Sequence, residues 1–464
     1  MSATLALAEP IQDGLPRPAR LRAMFAVAMA VLLSVLDYAV VNIAMPEIAR
    51  DVHATASASI WVINAYQLAS VTSLLPVARL GEKFGHARMC LIGLVMFVFA
   101  SLLCAMSQTL GELTMARALQ GLGGACILGV NAALVRHIYP SELLGRGIAL
   151  NGLVIALGVA LGPSVGAAVL AVANWKWLFL INLPFGLAAF YFALTALPKT
   201  PRADVKFDMT STVLLGLGLG GIVIGGDHFA EGPGGTLGFG LLAVGIVAMA
   251  ALVRLQLTRA HPLLPVDLLA RGGFAAAFAT GFLAFLASNF FIISMPFNLT
   301  DVLHRGPVET GLVITSWPLS IVLTAPFVGR LADRYPAAIL STLGMLILSL
   351  GFLLLRLLPA APTDIDIVWR ISLAALGFSL VQPPNNKAML MNAPKPRLAG
   401  ASGMISVVRL LGQTIGGMLV AITLGLAHPA PTRTCLAFAS LAAFLGAIAS
   451  AMRLFAKGGR GMEG

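Results

Sequence analysis

Residues 79–84 read Arg79-Leu80-Gly81-Glu82-Lys83-Phe84, and the same order of base, Leu, small residue, acid, base and aromatic returns as Arg330-Leu331-Ala332-Asp333-Arg334-Tyr335. Two further echoes flank it in the same order. Leu36, Ile43, Met45 and Pro46 return as Leu286, Ile293, Met295 and Pro296, and Leu161-Gly162-Pro163-Ser164-Val165-Gly166-Ala167 returns as Leu411-Gly412-Gln413-Thr414-Ile415-Gly416-Gly417. Three ordered matches at a nearly constant offset of about 250 residues mark an internal duplication in one orientation. Six membrane-spanning helices at about 20 residues each, with loops, need roughly 190–200 residues. The offset therefore leaves room for two more helices between the halves.

The composition demands lipid as solvent. The 464 residues are 58% hydrophobic and only 11% charged, with a mean hydropathy of +0.92. A soluble domain carries about a quarter charged residues, so a cytosolic enzyme, a secreted disulfide scaffold and a disordered chain are excluded. The net charge of +11 forms no groove-sized basic run, so no nucleic-acid partner is expected. Cys90, Cys104, Cys126 and Cys435 lie in apolar stretches without metal-ligand or CxxC spacing and read as small buried hydrophobes. No metal, cofactor or catalytic centre is expected. No GxxxxGK[ST] motif occurs, so ATP is not the expected energy source.

The pattern predicts an all-α integral membrane protein of fourteen spanning helices, at 22–46, 59–78, 88–107, 112–136, 147–171, 176–197, 209–226, 236–256, 274–299, 309–330, 338–358, 367–389, 400–426 and 434–453. It comprises a tail at 1–21, a six-helix bundle at 22–200, inserted helices 7–8 at 201–260, a second six-helix bundle at 261–455 and a tail at 456–464. The bundles are expected to be related by a pseudo-two-fold axis along the membrane normal, with a small-molecule site between them near mid-membrane. Residues 1–21 are polar and Pro-rich and lack the pattern of a cleaved secretory signal. Lys and Arg concentrate at 17–22, 79–88, 136–146, 199–206, 254–271, 330–334, 387–397 and 453–460. The opposite loops carry Arg50, Lys176, Arg305, Arg356, Arg370 and Arg433. That bias predicts cytoplasmic termini in a plasma (inner) membrane. A monomer surrounded by lipid is expected.

Several polar residues sit where lipid makes them costly. Asp37 is the only carboxylate clearly inside a span. A carboxyl whose surroundings alternate between an apolar pocket and a neighbouring cation favours in turn its protonated and its ionised form, and so can carry a proton across. Arg117, one turn inside helix 4, is a partner within reach; snorkelling to the interface is the bland alternative. The loop after helix 2 (Arg79, Glu82, Lys83, Gly85, Arg88) and its echo (Arg330, Asp333, Arg334) read as gates between helices, with Gly85 free to take a positive φ. Pro336 stands where the second copy's Gly would be, so that turn must differ. Gly158, Gly162 and Gly166 form one small-residue stripe on helix 5, which Pro163 kinks or opens. Asn42, Trp61, Asn64, Gln67, Gln120, Phe285, Asn289, Asn385 and Arg409 are cavity candidates. Arg409 would attract an anionic group or cap a carbonyl. Asp227 and His228, ending helix 7, read as solvated loop residues.

These motifs resemble the major facilitator superfamily. Its loop signature is similar to Glu82-Lys83-Phe84-Gly85, and its antiporter motif to the Gly162-Pro163 stripe. Leu36-Asp37-Tyr38-Ala39-Val40-Val41-Asn42-Ile43-Ala44-Met45-Pro46 closely resembles helix 1 of the fourteen-helix drug:proton antiporter branch, with Ala39 in place of the usual Thr. Asn174-Trp175-Lys176-Trp177-Leu178-Phe179-Leu180-Ile181-Asn182-Leu183-Pro184 is similar to the same branch, as more loosely are His261-Pro262-Leu263-Leu264-Pro265 and Arg409-Leu410-Leu411-Gly412. The resemblance implies proton-driven export of amphipathic drugs, antibiotics or toxic metabolites by alternating access. A proton symporter or a dedicated exporter of one metabolite is the alternative.

Overall fold

The computed structural model describes residues 13–458 apart from 201, 203–206, 229–235, 260–261, 263, 395–396 and 427–429. His261 and Leu263 of the quoted string, Lys206, Lys395 and Arg460 of the charge pattern, and tail residues 1–12 and 459–464 lie outside the described residues.

The described residues build sixteen α-helices and no strand. The first eight are α1 (Arg17–Asp51), α2 (Ala56–Ser59), α3 (Trp61–Phe84), α4 (His86–Met106), α5 (Leu110–Ile138), α6 (Leu144–Val172), α7 (Lys176–Leu180) and α8 (Asn182–Ala196). Then follow α9 (Met209–Asp227), α10 (Thr236–Thr258), α11 (Gly272–Phe297), α12 (Pro307–Arg334), α13 (Ala337–Arg356), α14 (Asp364–Met391), α15 (Leu398–Leu426) and α16 (Pro431–Gly458). In lipid every backbone donor must be satisfied within its segment, which leaves helix as the available form for these stretches. Among the described residues thirteen spans are long and apolar enough to cross a membrane, with α2–α3 and α7–α8 each counted as one. The fourteenth, α14, has the length at 28 residues, but its Asp364, Asp366, Arg370 and Gln382-Pro383-Pro384-Asn385-Asn386-Lys387 make it more polar. Phe25, Ile92, Phe99, Met115, Leu323 and Phe327 are among the large apolar side chains left on the outer surface, where lipid is their solvent.

The duplication is visible in the packing. In the first bundle α3 and α4 pack on α5, α1 on α6, and α8 on α1 and α4. In the second, α12 and α13 pack on α14, α11 on α15, and α16 on α11 and α13. Two seams join the halves, α6 against α12 and α3 against α15, and they exchange under the same pseudo-two-fold.

The inserted pair breaks that symmetry. Helix α10 packs on α9 and the short turn Val266–Ala270, whereas α9 reaches both α3 and α15 and so lies over one seam only. Asp227 is buried and accepts a hydrogen bond from Trp61 Nε1, which corrects its reading as a solvated loop residue. Gly226 packs against Met418 of α15.

The apolar core differs between the two ends. At the end away from the termini, Val40–Ala49 of α1, Ile60–Ile63, Leu113 and Trp175 share one cluster with Ala284–Leu299, Val313–Trp317 and Leu348–Leu358. Toward the termini the core divides. One cluster, around Val27, Phe97 and Leu134, belongs to the first bundle. Another joins α11, α14 and α15 to the inserted pair and to Val71 and Leu74 of α3. The halves thus share one continuous core at one end, while toward the termini the core divides and they meet through α3 and α15.

Helix α6 continues on both sides of Pro163. Its glycines press on α1: a Cβ at Gly158 would lie 3.0 Å from Val35, and one at Gly162 would collide with the Ala39 side chain. The single departure from the helix-1 pattern, Ala39, therefore sits where α1 and α6 approach most tightly. Gly85 ends α3 at φ +100, while Pro336 precedes α13 at φ −56, so the two loop copies turn differently as expected.

Candidate functional site

Two features adjoin inside the helical body: a buried charge cluster within the first bundle and a cavity between the bundles. The cluster centres on Asp37 of α1, 2% exposed. Arg117 and Gln120 stand three residues apart on α5 and therefore share a face. Arg117 NH1 donates to Asp37 Oδ2 at 2.6 Å, and Gln120 Nε2 donates to Oδ1 at 2.8 Å. Asn182 Nδ2 donates to the same Oδ1 at 2.6 Å.

Asn182 is placed by an anchor further out. Trp175 is buried and donates through Nε1 to Asp51 Oδ2 at 2.8 Å, pinning α7 to the end of α1. The break at Ile181 then starts α8 with Asn182 turned inward. Ser101 Oγ of α4 accepts from Gln120 Nε2 at 2.8 Å. Arg117 Nε donates to the Val62 carbonyl at 3.1 Å, and its NH1 donates also to Gln120 Oε1 at 2.6 Å. Arg117 is fully buried, so it does not snorkel. Breaking such a pair by removing one partner costs about 3–5 kcal/mol, because the other charge is left uncompensated.

Tyr66 of α3 separates this cluster from the cavity. The Arg117 guanidinium lies 4.4 Å from its ring centroid. Tyr66 also lines the cavity, and its Oη lies 3.1 Å from Ser34 Oγ.

The cavity has a volume of about 280 Å³. Tyr38, Asn42, Tyr66, Gln67 and Ser70 line the first-bundle side, with Pro163 beside them. Phe285, Asn289, Phe291, Trp317, Phe378 and Arg409 line the other. The aromatic groups form a continuous wall: Phe285 meets Phe378 at 5.6 Å, Phe378 meets Trp317 at 5.6 Å, and Trp317 meets Phe291 at 4.9 Å between centroids. A hydrogen-bond chain crosses the floor between the bundles. Gln67 Nε2 donates to Tyr38 Oη at 2.7 Å, Tyr38 Oη to Asn289 Oδ1 at 3.2 Å, and Asn289 Nδ2 to the Gln413 carbonyl at 2.6 Å.

Of the residues expected around the cavity, Asn42, Gln67, Phe285, Asn289 and Arg409 line it, and Gln120 belongs instead to the Asp37 cluster. Trp61 lies at the end away from the termini with Asp227. Asn64 is fully buried against Gly417 of α15, at the seam between halves, and its amide has no partner among the described residues. Asn385 points away: it donates to the Ala277 carbonyl at 2.8 Å and accepts from Arg453 NH1 at 3.2 Å. A buried cation on α16 claims it, which nothing near Asn385 in the chain could announce. Of the stripe glycines, none lines the cavity, but Pro163 does.

The gate residues stay within their own halves. Arg79 pairs with Glu82 at 3.0 Å, and Asp333 pairs with Lys387 at 3.3 Å. Lys83 and Arg334 lie over the neighbouring rings of Phe84 and Tyr335. Arg88 faces a second recess with Gly85, and Arg330 is exposed. Sequence reasoning missed Tyr66, Asn182, Ser101 and the wall of Phe291, Trp317 and Phe378. Asn182 stood in a quoted motif, but its target did not.

Comparison with known proteins identifies the family and the fold. The model of the Major Facilitator Superfamily matches residues 27–276 and 277–460. The chain is 43% identical over 444 residues to the uncharacterized transporter YebQ of Escherichia coli, covering 95% of this chain and 97% of the relative. It is 27% identical to the multidrug export protein EmrB of Haemophilus influenzae, over 88% of this chain and 81% of the relative. It is 26% identical to the riboflavin transporter RibZ of Clostridioides difficile, over 84% and 85%. Among solved structures, a POT family transporter in complex with a thioalcohol-conjugated peptide superposes with a TM-score of 0.73 at 15% identity, covering 94% of this chain and 96% of that one.

Proposed function

The chain belongs to the major facilitator superfamily, a multi-pass membrane transporter family, and from that premise we propose that it is a proton-coupled antiporter of the fourteen-helix drug:proton branch. It exports small amphipathic molecules across the inner membrane by rocking its two bundles, with both termini in the cytoplasm. The observation that carries this reading is the Asp37 cluster. A single carboxylate, buried in the span and held by Arg117, Gln120 and Asn182, is separated from the cavity by one ring, Tyr66.

In this conformation the ionised carboxylate is matched by the guanidinium and two amides. Loading a proton requires Arg117 to let go. Substrate pressing on Tyr66 displaces the face that Arg117 rests on, so cargo and proton affect one another through that ring. The shared core at the far end and the divided core toward the termini support reading this as a state open to the cytoplasm, in which cargo loads. The likeness to EmrB supports export of drugs.

A dedicated exporter of one metabolite is the second reading. The small, closely walled cavity and the likeness to a riboflavin transporter favour it. The test is growth of an efflux-deficient host, with and without the chain, across a broad compound panel. Protection against several unrelated amphipathic compounds supports multidrug export; protection against one structural class supports the dedicated exporter; protection against none, with the protein present in the membrane, contradicts both.

A further inference from the structure

Arg409 stands out among the arginines inside the bundle. Arg117 is matched by Asp37, and Arg453 donates to Asn385 and Ser450. Arg409 has no ion pair and no hydrogen bond among the described residues, so it does not cap a carbonyl. It lines the cavity half-buried on α15, beside Leu410 and Gln413. It is the one charged residue of the described cavity wall, which holds no Asp or Glu. The titratable groups it faces are two phenols, Tyr38 and Tyr66. A guanidinium inside a span without a counter-charge is costly, and its planar fork of donors matches a carboxylate or other oxyanion bidentately.

Asp37 does not cancel this field. Both its oxygens are occupied and its charge is already balanced by Arg117. The wall formed by Phe285, Phe378, Trp317 and Phe291 supplies an apolar surface for a flat body.

We propose that the transported class is amphipathic organic anions, an aromatic ring system bearing one carboxylate or sulfonate, with Arg409 as the anchor for the head and the aromatic wall as the cradle for the ring. This deepens the transporter reading and rests on it. It has an energetic consequence. Moving an anion out while a proton moves in carries net positive charge inward, so a membrane potential negative inside drives export. Exchanging a monovalent cation for one proton would be electroneutral.

The test uses three probes with one ring and three heads: 2-naphthoate, 2-naphthylmethanol and 2-naphthylmethylammonium. Dissociation constants are measured on the purified full-length protein in detergent, and export is measured in proteoliposomes with and without a potassium-valinomycin potential. In the unaltered protein naphthoate binds at least about tenfold tighter than the other two, and its export speeds up under a potential negative on the cytoplasmic side. Arg409→Gln weakens naphthoate about tenfold or more and leaves the alcohol unchanged; Arg409→Lys recovers part of the loss. The proposal is overturned if the ammonium probe binds the unaltered protein as well as naphthoate does, if none of the three binds, or if Arg409→Gln weakens all three alike. Naphthoate binding without proton movement contradicts the antiport reading and leaves Arg409 as the anchor. Proton-driven export of the ammonium probe does the reverse.

Discussion

Arg117 lies 4.4 Å over the ring of Tyr66 while its NH1 holds Asp37 at 2.6 Å, so one guanidinium joins the buried carboxylate to a residue of the cavity wall. A cation over an aromatic face is worth about 0.5–2 kcal/mol, more when desolvated. That is enough for cargo moving the ring to bias the ion pair beneath it.

Removing the ring should uncouple transport. Tyr66→Leu loses the face under Arg117, whereas Tyr66→Phe loses only the contacts of Tyr66 Oη with Ser34 Oγ at 3.1 Å and with the Ser34 carbonyl at 3.4 Å. In proteoliposomes Tyr66→Phe should move protons and cargo in the wild-type ratio. Tyr66→Leu should lower the protons moved per cargo at least severalfold. Equal ratios in both variants would leave the ring without a coupling role.

The α1–α6 contact should tolerate no added bulk. Gly162→Val places its Cβ into Ala39, and overpacking of this kind costs about 1–3 kcal/mol. The expected result is a lower melting temperature in detergent with reduced transport. Gly162→Ala should cost less, and Ala39→Gly beside it should restore part of the loss. An unchanged melting temperature for Gly162→Val would show that the two helices can part freely.

Glu82 pairs only with Arg79 of its own half among the described residues, at 3.0 Å on a half-exposed surface. Such a pair contributes about 0–1 kcal/mol to stability. A latching role must therefore arise when the termini end closes. Glu82→Gln should slow turnover severalfold at unchanged cargo affinity and unchanged melting temperature. A wild-type turnover rate would reduce the loop to a topological signal.

The inserted pair should matter to transport despite lying outside the duplication. Through Asp227 and Trp61 it reaches α3, and through Gly226 and Met418 it reaches α15. Trp61→Phe removes this hydrogen bond, a net loss of about 0.5–1.5 kcal/mol. Lower thermal stability and slower transport are expected. Full activity after excision of about residues 205–260, with the protein folded, would make the pair an ornament.

The fold was legible because lipid imposes one rule on every span and the duplication repeats its motifs in order. The charge cluster was half legible. Asp37 and Arg117 declare themselves as charges inside apolar runs, and Gln120 follows Arg117 at helical spacing. Asn182 aims at Asp37 only because Trp175 pins α7 to Asp51 and the chain breaks at Ile181, both tertiary facts. Phe291, Trp317 and Phe378 carry no local signal, since an aromatic on a spanning helix suits lipid as well as a cavity. Asn385 and Asp227 misled for the same reason: Arg453 and Trp61 lie far off in sequence, and only packing brings them near.

The central claim is that Asp37 carries the proton. Asp37→Asn keeps the shape and most of the hydrogen bonding but cannot ionise. The decisive measurement is uphill cargo movement by this variant in proteoliposomes with an imposed pH gradient, beside cargo–cargo exchange with no gradient. Loss of uphill movement with exchange retained is the predicted result. Uphill movement at the wild-type rate would contradict the account.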